Sequence, residues 1–121
     1  MLDVSRVQLA DLTFEPWPLA EENDVSGTPD PRIAIISRSA DGTVATGGFR
    51  LSPGRFTFVQ AGDEWTLVLK GRVVITAEDG SRIDCTPGDV MQLRDGATTT
   101  YEVLEEYEDY FVITNPAGVT L

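Results

Sequence analysis

From Arg32 onward the chain is a series of short apolar runs separated by turn residues at nearly regular intervals, the pattern of an all-β sandwich or barrel. The runs predict strands over Arg32–Ser37, Thr43–Leu51, Arg55–Gln60, Trp65–Glu78, Ser81–Cys85, Asp89–Leu93, Thr98–Leu104 and Tyr110–Thr114. Turns are expected at 40–42, 52–54, 61–63, 86–88 and 94–96, where Gly, Pro, Asp and Ser cluster, and at Glu105–Glu108. Asp79-Gly80 reads as a two-residue hairpin turn between Thr76 and Arg82, with both central residues at positive φ. The long strand Trp65–Glu78 is expected to bend at Gly71, and no stretch carries a convincing amphipathic helix. Residues 1–31 show no sustained period: Trp17 lies between Pro16 and Pro18, Glu21 and Glu22 follow, then Ser-Gly-Thr-Pro-Asp-Pro. Proline removes backbone donors, so this segment reads as an extended arm anchored on the outside of domain 32–121 by Phe14, Trp17 and Leu19, with a disordered tail as the alternative.

The stretch Gly54–Gly71 organises the rest. Glu64 opens its second strand, and every second position after it, Thr66 and Val68, is small or apolar, as on the inside of a sheet. The opposite parity, Trp65, Leu67 and Leu69, then faces out, and three large apolar groups on an open sheet face call for cover from the arm or from a second chain.

A chain of 121 residues, 41% hydrophobic, supports one core and one domain. Twenty acidic against nine basic residues give a formal charge of -11, which repels phosphate backbones and anionic membranes, so neither is an expected partner. No apolar run approaches the roughly 18 to 20 residues of a membrane-spanning helix. The start, Met-Leu-Asp-Val-Ser-Arg, lacks the marks of a signal peptide and the single Cys85 makes no internal disulfide, so the expectation is a cytoplasmic protein. With no histidine, Ser52, Ser81 and Cys85 have no imidazole base, which excludes Ser-His-Asp and Cys-His mechanisms. Cys85 reads as a small packed residue, Gly47-Gly48 has no phosphate-loop spacing, and Glu105, Glu106, Glu108 and Asp109 read as a solvated turn without the glycine and alternating oxygens of a calcium loop.

Two motif frames then emerge. Counting back from Gly71, Glu64 falls on the glutamate of the first cupin motif, and its two histidine positions fall on Phe58 and Gln60. Counting on from Gly88, the Pro-x-Gly of the second motif falls on Arg94, Asp95 and Gly96, its histidine on Thr99 and its asparagine on Val103. The chain also carries Gly48, Phe49, Pro53 and Gly54, then Asp63-Glu64, Pro87-Gly88-Asp89 and Thr100-Tyr101-Glu102-Val103. In these residues it resembles the small single-domain cupins related to the cupin domains of ureidoglycine aminohydrolase and of ethanolamine-utilisation proteins.

The resemblance implies an all-β, cupin-type double-stranded β-helix, a jelly-roll β-barrel with the extended N-terminal arm. Phe56, Phe58, Gln60, Glu64, Thr66, Thr99 and Tyr101 would turn into the barrel as ligand-binding residues. Cupins commonly pair, which favours a homodimer. Metal-binding members hold a divalent ion with three histidines and the glutamate; here Glu64 and the weak donor Gln60 remain, so no metal and no other cofactor is expected. Three functions stay open. The first is a metal-independent small-molecule-binding barrel with Glu64 in its cavity. The second is an enzyme acting on a small polar metabolite, nitrogenous or sugar-like, with Glu64 as general base and Tyr101 and Gln60 as orienting groups. The third is a non-catalytic structural or interaction subunit, in which Glu64 is a buried relic bonded to Tyr101 or paired with Arg50 or Arg94.

Overall fold

The structure is a computed structural model that describes residues 3–121. Its strands are β1 (Glu15–Pro16), β2 (Ser26–Gly27), β3 (Arg32–Arg38), β4 (Val44–Leu51), β5 (Gly54–Val59), β6 (Asp63–Ala77), β7 (Arg82–Cys85), β8 (Val90–Leu93) and β9 (Thr98–Thr114). Two short 3-10 turns, Leu9–Asp11 and Glu21–Asn23, are the helical elements among the described residues. No helix there is long and apolar enough to cross a membrane.

All nine strands join one hydrogen-bonded sheet, curled so that β6 and β9 serve both of its halves. In one half the order is β1, β3, β4, the C-terminal part of β9, the N-terminal part of β6, then β8. In the other it is β2, β5, the N-terminal part of β9, the C-terminal part of β6, then β7. The change of half occurs where the β6–β9 register slips repeatedly, between Val68 and Val73. Such bulges bend a strand and re-aim its side chains. Gly71, at φ 85°, lies in this corner, where an added Cβ would collide with the Glu106 carbonyl oxygen and come within 2.9 Å of Tyr107 Cα. The bend expected at Gly71 is therefore required by the backbone of the facing strand.

The corner shifts the inward parity of β6 by one residue. Before it, Glu64, Thr66 and Val68 face in; after it, Val73 and Ile75 do, with Ala77 continuing the row. The main core is Leu51, Phe56, Val68, Val73, Ile75, Cys85, Met91, Leu93, Tyr101, Val103 and Tyr107, all buried. Cys85 is one of its packed members, as its neighbours in the sequence suggest.

Three local expectations need correction. The last two predicted strands are one continuous strand, β9, and the acidic run Glu105–Asp109 is strand rather than a solvated turn. Asp109 within it is buried, with 5% of its surface exposed. The Asp79-Gly80 hairpin closes as a three-residue loop: Gly80 N–H donates to Ala77 O, Ala77 N–H donates to Ser81 O, and only Gly80 has positive φ. This is the turn-plus-left-handed-glycine solution to the same hairpin.

The arm meets the barrel at several points along its length. It is not purely external. β1 pairs with β3 and β2 with β5, two-residue additions at the sheet edges, where a proline such as Pro16 is tolerated. Phe14 lies outside, over Gly48, with the Arg50 guanidinium 3.8 Å from its ring centroid. Leu19 packs against the main core. Trp17 turns inward and meets Phe49 and Phe58 edge to face, at centroid distances of 5.5 and 5.3 Å.

Candidate functional site

Inward residues of the first half of β6 and the second half of β9 enclose, with β4, β5, β8 and Trp17, a cavity of about 80 Å³. Ligand pockets for drug-sized molecules run from about 300 Å³ upward, so this one has room for a few non-hydrogen atoms. Its walls are largely aromatic, from Trp17, Phe49, Phe56, Phe58, Tyr101 and Phe111. Phe56 and Tyr101 face each other across paired strands and stack at 4.9 Å with an interplanar angle of 14°.

Glu64 lies on one wall. The Thr66 hydroxyl, two residues along the same inward row, donates to its Oε2 at 2.6 Å, and Gln60 Nε2 donates to its Oε1 at 3.3 Å. Although the residue keeps some exposed surface, its carboxylate is enclosed, and burial pushes its pKa up against the two hydrogen bonds that pull it down. Neither Tyr101 nor an arginine bonds it: Arg50 pairs with Glu108 at 2.6 Å, and Arg94 lines a separate groove beside β7.

The second acidic group is one that sequence reasoning missed. Asp109 lines the same cavity. Tyr107 O–H donates to its Oδ2 at 2.6 Å, whereas its Oδ1 is buried without a partner among the described residues. Burial first, then the nearby charge of Glu64, pushes the Asp109 carboxyl well above the ordinary range. Burial, followed by the charge of Asp109, also holds the Tyr107 phenol far above its ordinary value, so it stays a donor. No arginine or lysine lines the cavity, which thus holds two carboxylates and no counter-charge among the described residues. The signal for Asp109 was present in the alternation Tyr101, Val103, Tyr107, Asp109, Phe111, Ile113, all buried and all odd-numbered.

Of the seven predicted ligand-binding residues, Phe56, Phe58, Gln60, Glu64, Thr66 and Tyr101 border the cavity. Thr99 does not. It faces the groove of about 220 Å³ formed by β7, β8 and the end of β6, and its hydroxyl is committed to the Phe58 carbonyl oxygen at 3.1 Å. The donor set around Glu64 does not fit the transition metal of a three-histidine cupin site. Phe58 has no donor atom, the Gln60 amide and Thr66 hydroxyl are turned to the carboxylate as donors, and Thr99 is elsewhere. Among the described residues no group of three or more acidic or cysteine side chains is placed to hold a metal ion.

Comparison with solved structures places this fold among cupins. An ethanolamine utilization protein Q from Salmonella typhimurium LT2 aligns at 21% identity and TM-score 0.63, over 70% of this chain and 69% of that one. A Rhizobium leguminosarum bv. viciae 3841 protein of unknown function aligns at 21% identity and TM-score 0.69, over 94% and 99% of the two chains. A predicted oxalate decarboxylase from Thermotoga maritima aligns at 19% identity and TM-score 0.69, over 92% and 99%. At these identities the likeness is one of fold. The curated proteins give no match. The family model of the EutQ-like cupin domain matches residues 38–111, which span β4 to β9 almost entire and both walls of the carboxylate cavity, and the chain belongs to that family.

Proposed function

We propose that this cupin domain is a metal-independent small-molecule-binding barrel in which Glu64 anchors the ligand. One observation carries the reading: the cavity holds two carboxylates, one of them with a buried oxygen that no group among the described residues satisfies. Leaving a buried polar atom unpaired costs on the order of 1–3 kcal/mol, so an interior serving packing alone gains nothing from it. A purely structural subunit would be better served by apolar side chains at both positions.

A second reading, catalysis on a small polar metabolite with Glu64 as general base, is favoured by the upward shift of its pKa toward the working range of such a group. The test is a thermal-shift screen of small metabolites on untagged protein, with Glu64→Ala in parallel. Ligands that raise the wild-type melting temperature and leave Glu64→Ala unmoved support the binding barrel. Turnover of such a ligand that disappears in Glu64→Gln selects the enzyme reading.

The same domain is proposed to pair with a second copy through the outer face of β6. Trp65 and Leu67 are exposed there, with Val112 and Tyr110 beside them on β9 and Val90 opposite Leu67 on β8. Phe14 of the arm lies farther across the sheet, over Gly48. Light scattering at micromolar concentration should give twice the chain mass, and Trp65→Glu should halve it; a wild-type monomer contradicts the pairing.

A further inference from the structure

We propose that the cavity takes a small organic cation with two or more N–H donors, an ammonium or amidinium of a few non-hydrogen atoms, bridging Glu64 and Asp109. This rests on the binding-barrel reading and adds the chemistry of the ligand to it.

Charge comes first. Among the described residues Glu64 receives two hydrogen bonds and Asp109 one, all from neutral donors, and no cationic side chain reaches the cavity. Buried carboxylates are ordinarily paired with a cation or protonated. An anionic ligand would add a third like charge. A wholly apolar one would leave Asp109 Oδ1 as it stands, without a partner. A ligand bearing N–H groups supplies the missing hydrogen bond, and a positive one also relieves the repulsion between the two carboxylates, the interaction that helps push the Asp109 carboxyl up.

Size and walls then narrow the class. About 80 Å³ excludes a sugar or a nucleoside. Aromatic walls suit a cation with a diffuse, weakly hydrated charge, because ring faces attract it and little hydration is forfeited. A hard divalent ion asks for six or more oxygens. Here one oxygen of each carboxylate is already bonded to a hydroxyl, through Thr66 and through Tyr107, and Glu64 Oε1 also accepts from Gln60. Two N–H vectors directed at two carboxylates make a better match to what remains free.

The experiment is calorimetric titration of the untagged chain with acetamidinium and methylammonium chlorides, against neutral acetamide, sodium acetate and calcium chloride at matched ionic strength. Acetamidinium should bind at least tenfold more tightly than acetamide. That affinity should fall at least tenfold in Asp109→Asn and in Glu64→Gln, both near-isosteric and both checked for a cooperative melt. Equal or tighter binding of acetamide or acetate overturns the proposal. So does displacement of acetamidinium by calcium, retention of affinity in both variants, or no binding of either cation. If a neutral or anionic compound from the thermal-shift screen binds and is lost in Glu64→Ala, the binding barrel stands and the cation alone is refuted. If nothing in that screen binds, the barrel reading fails as well.

Discussion

Gly71 divides β6 into two halves that use the same strand differently. After the corner, the inward residues Val73 and Ile75 are buried among Leu51, Cys85 and Val103, an interior closed by apolar packing. Before it, the inward row begins with Glu64 and Thr66, and the facing part of β9 contributes Asp109, so the interior is left partly open and acidic. Both halves contribute to the apolar core, Val68, Met91, Leu93 and Tyr107 from the half before the corner among them, but that half also carries the two buried carboxylates, which oppose the fold. Under the proposed binding barrel, the difference is that of a site maintained for what it contacts rather than for stability.

The largest effect expected from breaking this division is at the divide. Gly71→Ala places a Cβ against the Glu106 and Tyr107 backbone in a left-handed conformation, and neither strand can yield without undoing the β6–β9 ladder. A loss of about 3 kcal/mol or more is expected in urea unfolding. Next is the packed half: Val73 has no exposed surface. Val73→Ala should therefore lower stability by about 2 kcal/mol, read as a shift in denaturation midpoint at unchanged slope.

Most of the strand framework was legible in the sequence, because strand period and turn glycines are local signals. Gly71 as corner, the inward row Glu64-Thr66-Val68 and the exposed Trp65 and Leu67 all follow from parity. The acidic half was legible only in part. Asp109 sits in a run of charges whose composition suggests solvent, while its position continues the buried odd-numbered row of β9. Composition and period disagreed there, and the facing strands decide for period by placing Val68 and Phe49 beside Asp109. Trp17 could be identified as an anchor, but no local pattern gives the path that carries it from the arm to the cavity. Thr99 shows the converse: its parity is inward, yet its hydroxyl is taken by a neighbouring carbonyl and it faces a different recess.

The two halves should also separate by pH. Burial raises Glu64 from its ordinary value and Asp109 well above its own, so the native chain binds their protons more tightly than the unfolded one. Across the window from about pH 4 up to the raised native values, stability must fall as pH rises. Asp41, Asp79 and Asp84 are shifted down, chiefly by Thr43, Ser81 and Arg72, and contribute stability above about pH 4 that is lost on further acidification. Melting temperature should therefore peak in mild acid. The double variant Glu64→Gln, Asp109→Asn should flatten the limb above the peak and leave the acid limb in place. A double variant with the wild-type profile would show that other groups set it.

The most direct test is the stability of the ligand-free single variants at pH 7. Asp109→Asn keeps an oxygen for the Tyr107 hydroxyl, Glu64→Gln keeps one for Thr66, and each removes one uncompensated buried charge or proton-binding site. If the open half of the barrel is maintained for a ligand at the expense of the fold, both variants should be more stable than wild type, each by about 1 kcal/mol in urea unfolding. If instead either variant is less stable by that amount, the carboxylates belong to the packing of the barrel, and the division between its two halves does not exist.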